Sequence, residues 1–244
     1  MIGSEIIKLL TIDSTNNYLK LLLETESPKD GTLADTREQT LGRGQRENMW
    51  HSNPGENLTF SFVIYPVKLS AIDQFMLSKF VSLALFDFLA NYSSFVKVKW
   101  PNDIYIKNKK ISGILIENVI KGQWISSTVV GIGLNINQIQ FADELNSATS
   151  LAMETGTDFK LETLLDQLIK ALNIRYKQLK DGKWEELDND YLHALFQYEE
   201  FALYQANNVN FEARIVNVEK DGRLILTNRM NEQLKFAFKD VQFL

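Results

Sequence analysis

The fold is set by the sequence from Lys99 to Asn137, KWPNDIYIKNKKISGILIENVIKGQWISSTVVGIGLNIN. Short apolar runs alternate with polar residues, which is typical of β-strands, and the turn signals Lys107-Asn108-Lys109 and Lys121-Gly122 separate the runs. The stretch therefore predicts consecutive strands joined by tight turns, at residues 95–100, 103–107, 111–120 and 124–137.

Further strands and helices are predicted before and after this stretch. Strands are expected at residues 6–10, 31–35 and 58–65, and a helix is expected from Asn17. Ile72–Leu89 and Leu161–Leu179 carry apolar residues at the spacing of a buried helix face. Because strands and helices do not alternate regularly, the pattern favours the α+β class, with helices covering one face of a mixed sheet.

The pattern changes after about Tyr198. Phe201–Leu244 contains four or five brief alternating runs separated by Asn and Gly turn signals. Such short, closely spaced strands predict a small, partly open β-barrel. The sequence thus predicts two domains, residues 1–197 and 198–244.

Composition excludes several classes of protein. The 26 basic and 31 acidic residues give a net charge of −5, which argues against a generic DNA-binding protein, because such proteins neutralise phosphates with surplus Lys and Arg. The chain has no cysteine, so disulfides and thiolate metal sites are absent. No signal peptide and no apolar window of about 18 residues is found, so we expect a cytoplasmic protein without a membrane partner.

Glycines locate a candidate site. Along Val129–Asn137, the two-residue period of a strand places the apolar residues at 130, 132, 134 and 136 on one face. Gly131, Gly133 and Asn135 share the other face, which is flat and then amide-bearing. Gly113 similarly lies within a predicted strand. Glycine weakens a strand unless a ligand or another backbone approaches closely, so the alternatives are a ligand site and a closely crossing helix.

The long polar loop at residues 36–57 carries Arg43 and Arg46 among glycines, followed by Trp50. Guanidinium groups on a flexible backbone can wrap a phosphate or carboxylate. Taken alone, the string GRGQR also fits a surface turn or an RNA contact.

The string KWPND holds two polar side chains, Asn102 and Asp103, at a strand entry behind Pro101. Asp103 could hold Mg²⁺ against the phosphates of a nucleotide, or the string could form a simple turn with a side-chain hydrogen bond. Lys110 opens the glycine-bearing strand within a locally basic stretch that could attract an anion.

Ser14, Thr15 and Asn16 form a polar cluster at the start of the first predicted helix. Helix capping explains one of them, and a compact, neutral, amide-rich ligand would engage all three.

Four blocks in this order resemble the biotin protein ligases. They are DSTNNYL from Asp13, EQTLGRGQRENMWHSNPGENLTFS from Glu38, KWPNDIYIKNKKISGILIE from Lys99 and VVGIGLNIN from Val129. The resemblance implies a catalytic domain like the class II synthetases and a C-terminal SH3-like barrel. It also implies a reaction: ATP activates biotin as biotinyl-5′-AMP, and a lysine of a biotin carboxyl carrier protein then takes the biotin.

The resemblance assigns roles to individual residues. Ser14, Thr15, Asn16 and Gln39 would hold the biotin head group. Gly113, Gly131 and Gly133, which the strand pattern marks as a surface of close approach, are also expected to bind biotin. Arg43, Gly44 and Gln45 would lie in the loop that closes over biotin and adenylate. Lys110 would lie beside the biotin carboxylate and the reacting phosphate, with Arg43 and Asp103 as its catalytic partners. The expected adenylate and ATP residues are Arg46, Trp50, Asn102 and Asn135, with Asp103 also holding Mg²⁺.

Two departures from the family pattern stand out. Gln45 replaces the second arginine of the common string GRGR, so retention of the adenylate would rely more on Arg43, Arg46 and packing of the loop. The chain also starts almost directly at the catalytic blocks, so we expect no DNA-binding module. Pairing of edge strands between two copies leaves a homodimer open.

Two other functions remain as alternatives. A lipoate-protein ligase would share the fold, although the strings GRGQR, KWPND and GIGLNIN are of the biotin type. A non-catalytic nucleotide- or RNA-binding protein would use the arginine loop and the lysine-rich hairpin.

Overall fold

The computed structural model describes residues 1–45, 48–142 and 147–244. Its strands are β1 Glu5–Ile12, β2 Thr32–Gln39, β3 Leu58–Ile64, β4 Val96–Lys99, β5 Asp103–Ile106, β6 Lys109–Lys121, β7 Trp124–Leu134, β8 Ala202–Ala206, β9 Val209–Val218, β10 Leu224–Asn228, β11 Gln233–Phe236 and β12 Gln242–Phe243. Its α-helices are α1 Thr15–Thr25, α2 Phe75–Leu89, α3 Leu151–Thr155, α4 Leu161–Lys180 and α5 Trp184–Ala194.

The first seven strands form one mixed sheet in the order β1-β2-β3-β7-β6-β5-β4. Strands β1 and β2 pair in parallel, and every other neighbouring pair in this sheet is antiparallel. Strands β4 to β7 come from the stretch around residues 99–137, as its turn signals predict. The mixed sheet and its helices confirm the predicted α+β class.

Helices cover both faces of this sheet, and β3 is buried along its whole length as a result. On one face, Phe60 and Phe62 join the main core with α2, α4 and α5. On the other face, Leu19 of α1 packs against Val63 and Val129. Each fully buried side chain of this kind contributes roughly 1.5–3 kcal/mol. The prediction of one covered face therefore holds for α2, α4 and α5, while α1 covers the opposite face beside the candidate site.

Local composition misled the prediction at three places. Strand β2 runs on to Gln39, because its polar end pairs with β1 in a register that joins Gln39 to Ile12. The expected helix from Ile72 is a 3-10 turn at Ala71–Asp73 followed by α2. Helix α3 was not predicted, since its five residues are too few to show a period.

Helix α5 was also missed, although its sequence carried a signal. Its buried residues Leu187, Tyr191 and Ala194 follow the i, i+4, i+7 spacing of an amphipathic helix.

The last five strands form a second, antiparallel sheet in the order β11-β10-β9-β8-β12. Most of its buried apolar side chains belong to the same cluster as the main core. The two sheets also meet at Trp100, whose Nε1–H donates to the carbonyl of Gly222 at 2.9 Å and whose ring lies 5.3 Å from that of Phe238. The C-terminal sheet is therefore packed against the string KWPND.

Among the described residues, no helix combines the length and the apolar character needed to cross a lipid bilayer.

Candidate active site

A cavity of about 230 Å³ lies on the sheet face that carries α1. Residues from the start of α1, the loop after β2, β6, β7 and the turn before β12 line it. The predicted site residues that line it are Ser14, Thr15, Asn16, Gln39, Arg43, Gly44, Gln45, Trp50, Asn102, Asp103, Lys110, Gly113, Gly131 and Gly133. Residues far apart in the sequence thus converge on one cavity.

Glycines form the floor of the cavity because side chains from elsewhere lie directly on the strands. A Cβ atom at Gly131 would lie 2.1 Å from Oδ1 of Asn16, and one at Gly133 would lie 2.2 Å from Cε2 of Trp50. Gly113 stands opposite Gly133 in the β6–β7 register and also lies beneath Trp50. Gly131 thus lies beneath the first turn of a helix, as the close-crossing alternative predicts. All three glycines line the cavity, and their binding of a ligand stays a prediction.

Polar side chains at the start of α1 form one wall. Ser14 occupies the N-cap position in an extended conformation, but its side chain makes no capping hydrogen bond. Oγ of Ser61 donates to Oδ1 of Asn16 at 2.6 Å and lies 2.6 Å from Oγ1 of Thr15. Oε1 of Gln39 accepts the backbone N–H of Thr15 at 2.8 Å. Simple capping therefore does not account for this cluster. Ser14, Thr15, Asn16 and Ser61 are buried, and all of them except Ser61 line the cavity together with the partly buried Gln39.

Arg43 is held by a carboxylate that the sequence analysis did not single out. Its two terminal nitrogens donate to both oxygens of Glu117, at 3.2 and 3.0 Å, and one of them also donates to Oδ1 of Asn17 at 2.8 Å. Glu117 follows Gly113 and Leu115 on one face of β6, so the two-residue period of a strand could have revealed it.

The Glu117 carboxylate is stabilised in its ionised form. Burial alone would raise its pKa, but hydrogen bonds from Asn16, Lys20 and Arg43, together with the charge of Arg43, lower the pKa below its usual range.

Lys110 and Asp103 form an ion pair at the other end of the cavity, with Nζ and Oδ1 2.7 Å apart. Nζ of Lys110 also lies 6.0 Å from the centre of the Trp50 ring. The Lys110 backbone is fixed on both sides, because its N–H donates to Ser147 and its carbonyl accepts from Thr149. The ammonium group is thus presented to the cavity from a rigid strand.

The fit of this end of the cavity to Mg²⁺ rests on Asp103. Among the residues that the structure describes, no three Asp, Glu or His side chains cluster as metal ligands. Mg²⁺ in nucleotide sites is commonly bound by one or two carboxylates together with phosphate oxygens, so a single aspartate is compatible with an ion that arrives with ATP. The amide of Asn102 is oriented by its nitrogen, which donates to the carbonyl of Ile114.

Lys99, which pairs with Asp103 in the β4–β5 hairpin, is half-buried. Its Nζ lies 4.8 Å from the ring centre of Tyr105 and 5.3 Å from that of Phe243 in the C-terminal sheet. Burial lowers the pKa of Lys99, and burial together with the charge of Asp103 raises the pKa of Tyr105 to about 12.

Two predicted residues are not brought to the cavity. Asn135 is buried beside the sheet, where its amide nitrogen donates to the carbonyl of Thr149 at 3.0 Å, and it does not line the cavity. Arg46 lies outside the described residues. The nucleotide-binding roles expected for both stay predictions.

The cavity also includes two residues from the turn between β11 and β12, Phe238 and Lys239. Sequence reasoning missed them because it treated residues 198–244 as a separate domain. The local sequence carries no sign of a site, and only the packing of the two sheets brings this turn to the cavity.

A family model described as the biotin/lipoate A/B protein ligase family matches residues 9–135, more than half of the chain. The chain belongs to this family. The cavity residues from Ser14 to Gly133 all fall within the matched range, and only Phe238 and Lys239 lie outside it.

Several curated proteins of this family are similar in sequence. The bifunctional ligase/repressor BirA of Bacillus spizizenii is 32% identical over 181 residues, which cover 72% of this chain and 55% of that protein. This chain therefore spans just over half the length of that relative. The biotin--[acetyl-CoA-carboxylase] ligase of Paracoccus denitrificans is 28% identical over 229 residues, which cover 91% of this chain and 94% of that protein.

Among solved structures, a biotin protein ligase from Aquifex aeolicus in complex with biotin and ATP superposes with a TM-score of 0.81. The match covers 99% of this chain and all of that chain at 24% identity, and it shows a shared fold.

Proposed function

We propose that this member of the family is an ATP-dependent biotin protein ligase. It would join biotin to ATP as biotinyl-5′-AMP, release pyrophosphate and then transfer biotin to a lysine of a biotin carboxyl carrier protein. The observation that carries the proposal is the division of one cavity into a buried polar wall at α1, a flat glycine floor and a cationic end at Lys110.

The polar wall favours biotin over lipoate. Thr15, Asn16 and Ser61 are almost fully buried, and Gln39 joins their hydrogen-bond network. The ureido ring of biotin carries two N–H donors and a carbonyl acceptor, which can pair with such groups. The dithiolane ring of lipoate has none, and buried polar groups left without partners cost roughly 1–3 kcal/mol each. Ser14, Thr15, Asn16 and Gln39 are therefore proposed to bind the biotin head group.

The glycine floor and Trp50 accommodate the flat parts of the ligand. Gly113, Gly131 and Gly133 leave the strand surface bare, and Gly44 and Gln45 lie on the loop above it. We assign the adenylate to the side that carries Trp50, Asn102 and Asp103, with Arg46 and Asn135 as further candidates.

The first chemical step brings negative charges together. A biotin carboxylate oxygen forms a bond to the α-phosphorus of ATP, and the bond from that phosphorus to the oxygen of pyrophosphate breaks. Lys110, on its fixed strand, and Arg43 would stabilise the charge on the phosphoryl oxygens. Arg43 would have to exchange the Glu117 carboxylate for phosphate. Mg²⁺ that accompanies ATP would be bound by Asp103.

In the second step the acceptor lysine attacks the carbonyl carbon of the adenylate, and AMP leaves. The unperturbed pKa of a lysine is about 10.4, so the amine must lose a proton before it attacks. Asp103 is the carboxylate at this end of the cavity and is the proposed base for that proton.

We also propose that residues 198–244 form an SH3-like domain that completes the site. Support comes from the five antiparallel strands, the contact between Trp100 and Gly222, and the position of Lys239 at the cavity.

A pyrophosphate exchange assay tests the activity. With ATP and labelled pyrophosphate, exchange is expected with biotin and not with lipoate, and a second assay should show biotin on one lysine of a carrier domain. Exchange with lipoate alone would favour a lipoate ligase. No exchange with either acid, together with retained RNA binding, would favour the non-catalytic alternative.

The loop position of Gln45 gives a prediction for adenylate retention. Gln45→Arg is expected to slow the release of biotinyl-5′-AMP about tenfold, because a charged hydrogen bond to phosphate is worth roughly 1.5–3 kcal/mol. Release after a single turnover can be followed by rapid gel filtration. Gln45→Glu is the matched control and should speed release, so equal rates in both variants would contradict this role for residue 45.

A further inference from the structure

Glu117 contacts both the polar wall, through Asn16, and the loop after β2, through Arg43. The two reaction steps above give Glu117 itself no role. Its carboxylate accepts the amide nitrogen of Asn16 at 2.9 Å, Nζ of Lys20 at 3.0 Å and the guanidinium of Arg43. It does not itself line the cavity. Its side chain is 21% exposed, and the lowered pKa keeps it ionised at neutral pH.

An ionised carboxylate can only accept hydrogen bonds. Asn16 must therefore turn its NH₂ group towards Glu117 and its Oδ1 towards Ser61. Because Oδ1 only accepts, the single hydroxyl proton of Ser61 must point at Asn16, 2.6 Å away. The charge of Glu117 thus sets the direction of two hydrogen bonds in the wall.

The direction of the next contact follows from proton count. Oγ of Ser61 and Oγ1 of Thr15 lie 2.6 Å apart, and Ser61 has no second proton to give. Thr15 must donate its hydroxyl proton to Ser61. The Thr15 hydroxyl is also placed to donate to Oε1 of Gln39 at 3.0 Å, but it has one proton, and the shorter contact with Ser61 at 2.6 Å takes it.

Two acceptors are left facing each other beside the cavity. Oε1 of Gln39 is already oriented by the backbone N–H of Thr15 at 2.8 Å, so the amide of Gln39 cannot turn its nitrogen inwards without losing that bond. An N–H donor that enters from the cavity would satisfy both oxygens.

We propose that Glu117 is a positioning residue that fixes the hydrogen-bond polarity of the wall, so that Thr15 and Gln39 present an acceptor pair to a ureido N–H. This inference rests on the proposed function. It gives the site a specificity for ring N–H donors through a residue that does not touch the ligand.

The test measures biotin binding to the full chain by calorimetry without ATP. The amide in Glu117→Gln can donate as well as accept, so the Asn16 amide is free to flip. The hydrogen bonds of Ser61 and Thr15 can then reverse their direction, and the Thr15 hydroxyl can donate to Oε1 of Gln39 within the protein. Biotin affinity is expected to fall about tenfold, as for one lost hydrogen bond to the ligand. An unchanged affinity would overturn the inference.

A double variant separates polarity from mere packing. Asn16→Asp with Glu117→Gln moves the charge to residue 16, where both oxygens accept, so Ser61 is again forced to donate and the new amide at position 117 can supply the matching NH₂ group. Affinity is expected to recover to within about threefold of the original chain. A double variant that binds no better than Glu117→Gln would contradict the polarity mechanism.

Two controls complete the design. Lys20→Gln removes a partner of Glu117 that is 44% exposed and lies off the cavity, and it should leave biotin affinity within twofold, as roughly expected for an exposed ion pair. Biotin methylated at a ureido nitrogen should bind the original chain more weakly than biotin does. The ratio of the two dissociation constants should be smaller in Glu117→Gln. A ratio that stays the same overturns the inference, whereas an original chain that binds no biotin refutes the proposed function itself.

Discussion

Replacing Lys110 by alanine is expected to lower biotin-dependent exchange between ATP and pyrophosphate by about 10²–10³-fold, the usual cost of one preorganised charge-stabilising contact. The ammonium group stands at the cationic end of the cavity, 2.7 Å from Asp103 and above the face of Trp50. Among the described residues, no other lysine of the seven-stranded sheet lines the cavity. Lys99 packs against aromatic rings, and Lys109 is exposed. The loss should fall mainly on kcat, because the charge to be stabilised develops as the new bond to phosphorus forms.

Lys109→Ala is the matched control for this variant. It removes the same charge from the neighbouring, exposed position and should leave exchange within twofold. Thermal unfolding of both variants should stay close to that of the original chain, because the Lys110 side chain is one-third exposed and is not part of the apolar core. Normal turnover in Lys110→Ala would remove Lys110 from the mechanism and leave the cationic end without its main residue.

The sequence predicted the parts of the site whose chemistry is visible in a short window. Gly131 and Gly133 stood out because a glycine pair in a strand has to be explained by a close approach, and both lie under another side chain. The core face of β7 followed from the two-residue period, and its apolar residues all joined the main core. The turn signals around Lys107 and Lys121 similarly gave the hairpins of the sheet.

The parts that could not be predicted depend on contacts between distant segments. Ser61 is an ordinary polar residue in a strand until α1 places Thr15 and Asn16 against it. Phe238 and Lys239 reach the cavity only because the C-terminal sheet packs on Trp100. The end of β2 looked like loop because its polar residues form a strand only through pairing with β1. In each case tertiary contacts decide what a short window of sequence leaves open.

These distant contacts explain why the polar wall can be specific. Thr15, Asn16 and Ser61 are each no more than 3% exposed, so each of their hydrogen bonds must be made within the protein or with the ligand. Their partners come from three separate segments, so a bound ligand has to complete the hydrogen bonds of all these groups together. A ligand that cannot complete the set leaves buried groups unpaired, which is how a site rejects an analogue that lacks the matching donors.

The last prediction concerns the glycine floor and compares Gly133 with Gly113, which pair with each other in the sheet. Gly133→Ala would place a Cβ 2.2 Å from Cε2 of Trp50, and two further ring atoms lie at 2.6 Å. The ring must move, because these are atoms of a rigid fused ring system and not the end of a flexible chain. A displacement of about 1 Å at a substrate-positioning group can cost about 10²-fold in rate, so exchange activity is expected to fall by that order.

Gly113→Ala is the matched control, since Gly113 pairs with Gly133 across β6 and β7 and lies under the same ring. There the new Cβ would lie 3.2 Å from Cζ3 of Trp50 and 3.4 Å from Cε of Lys110, distances that shifts of a few tenths of an ångström relieve. Its exchange activity is expected to fall less than tenfold, as is usual for mild crowding of roughly 1 kcal/mol. Neither glycine has a positive φ, so alanine adds no backbone strain that could obscure the comparison. The two positions share their strand environment and differ chiefly in the distance from the added Cβ to the Trp50 ring. Equal losses of exchange activity in the two variants would therefore show that crowding against Trp50 does not control the activity.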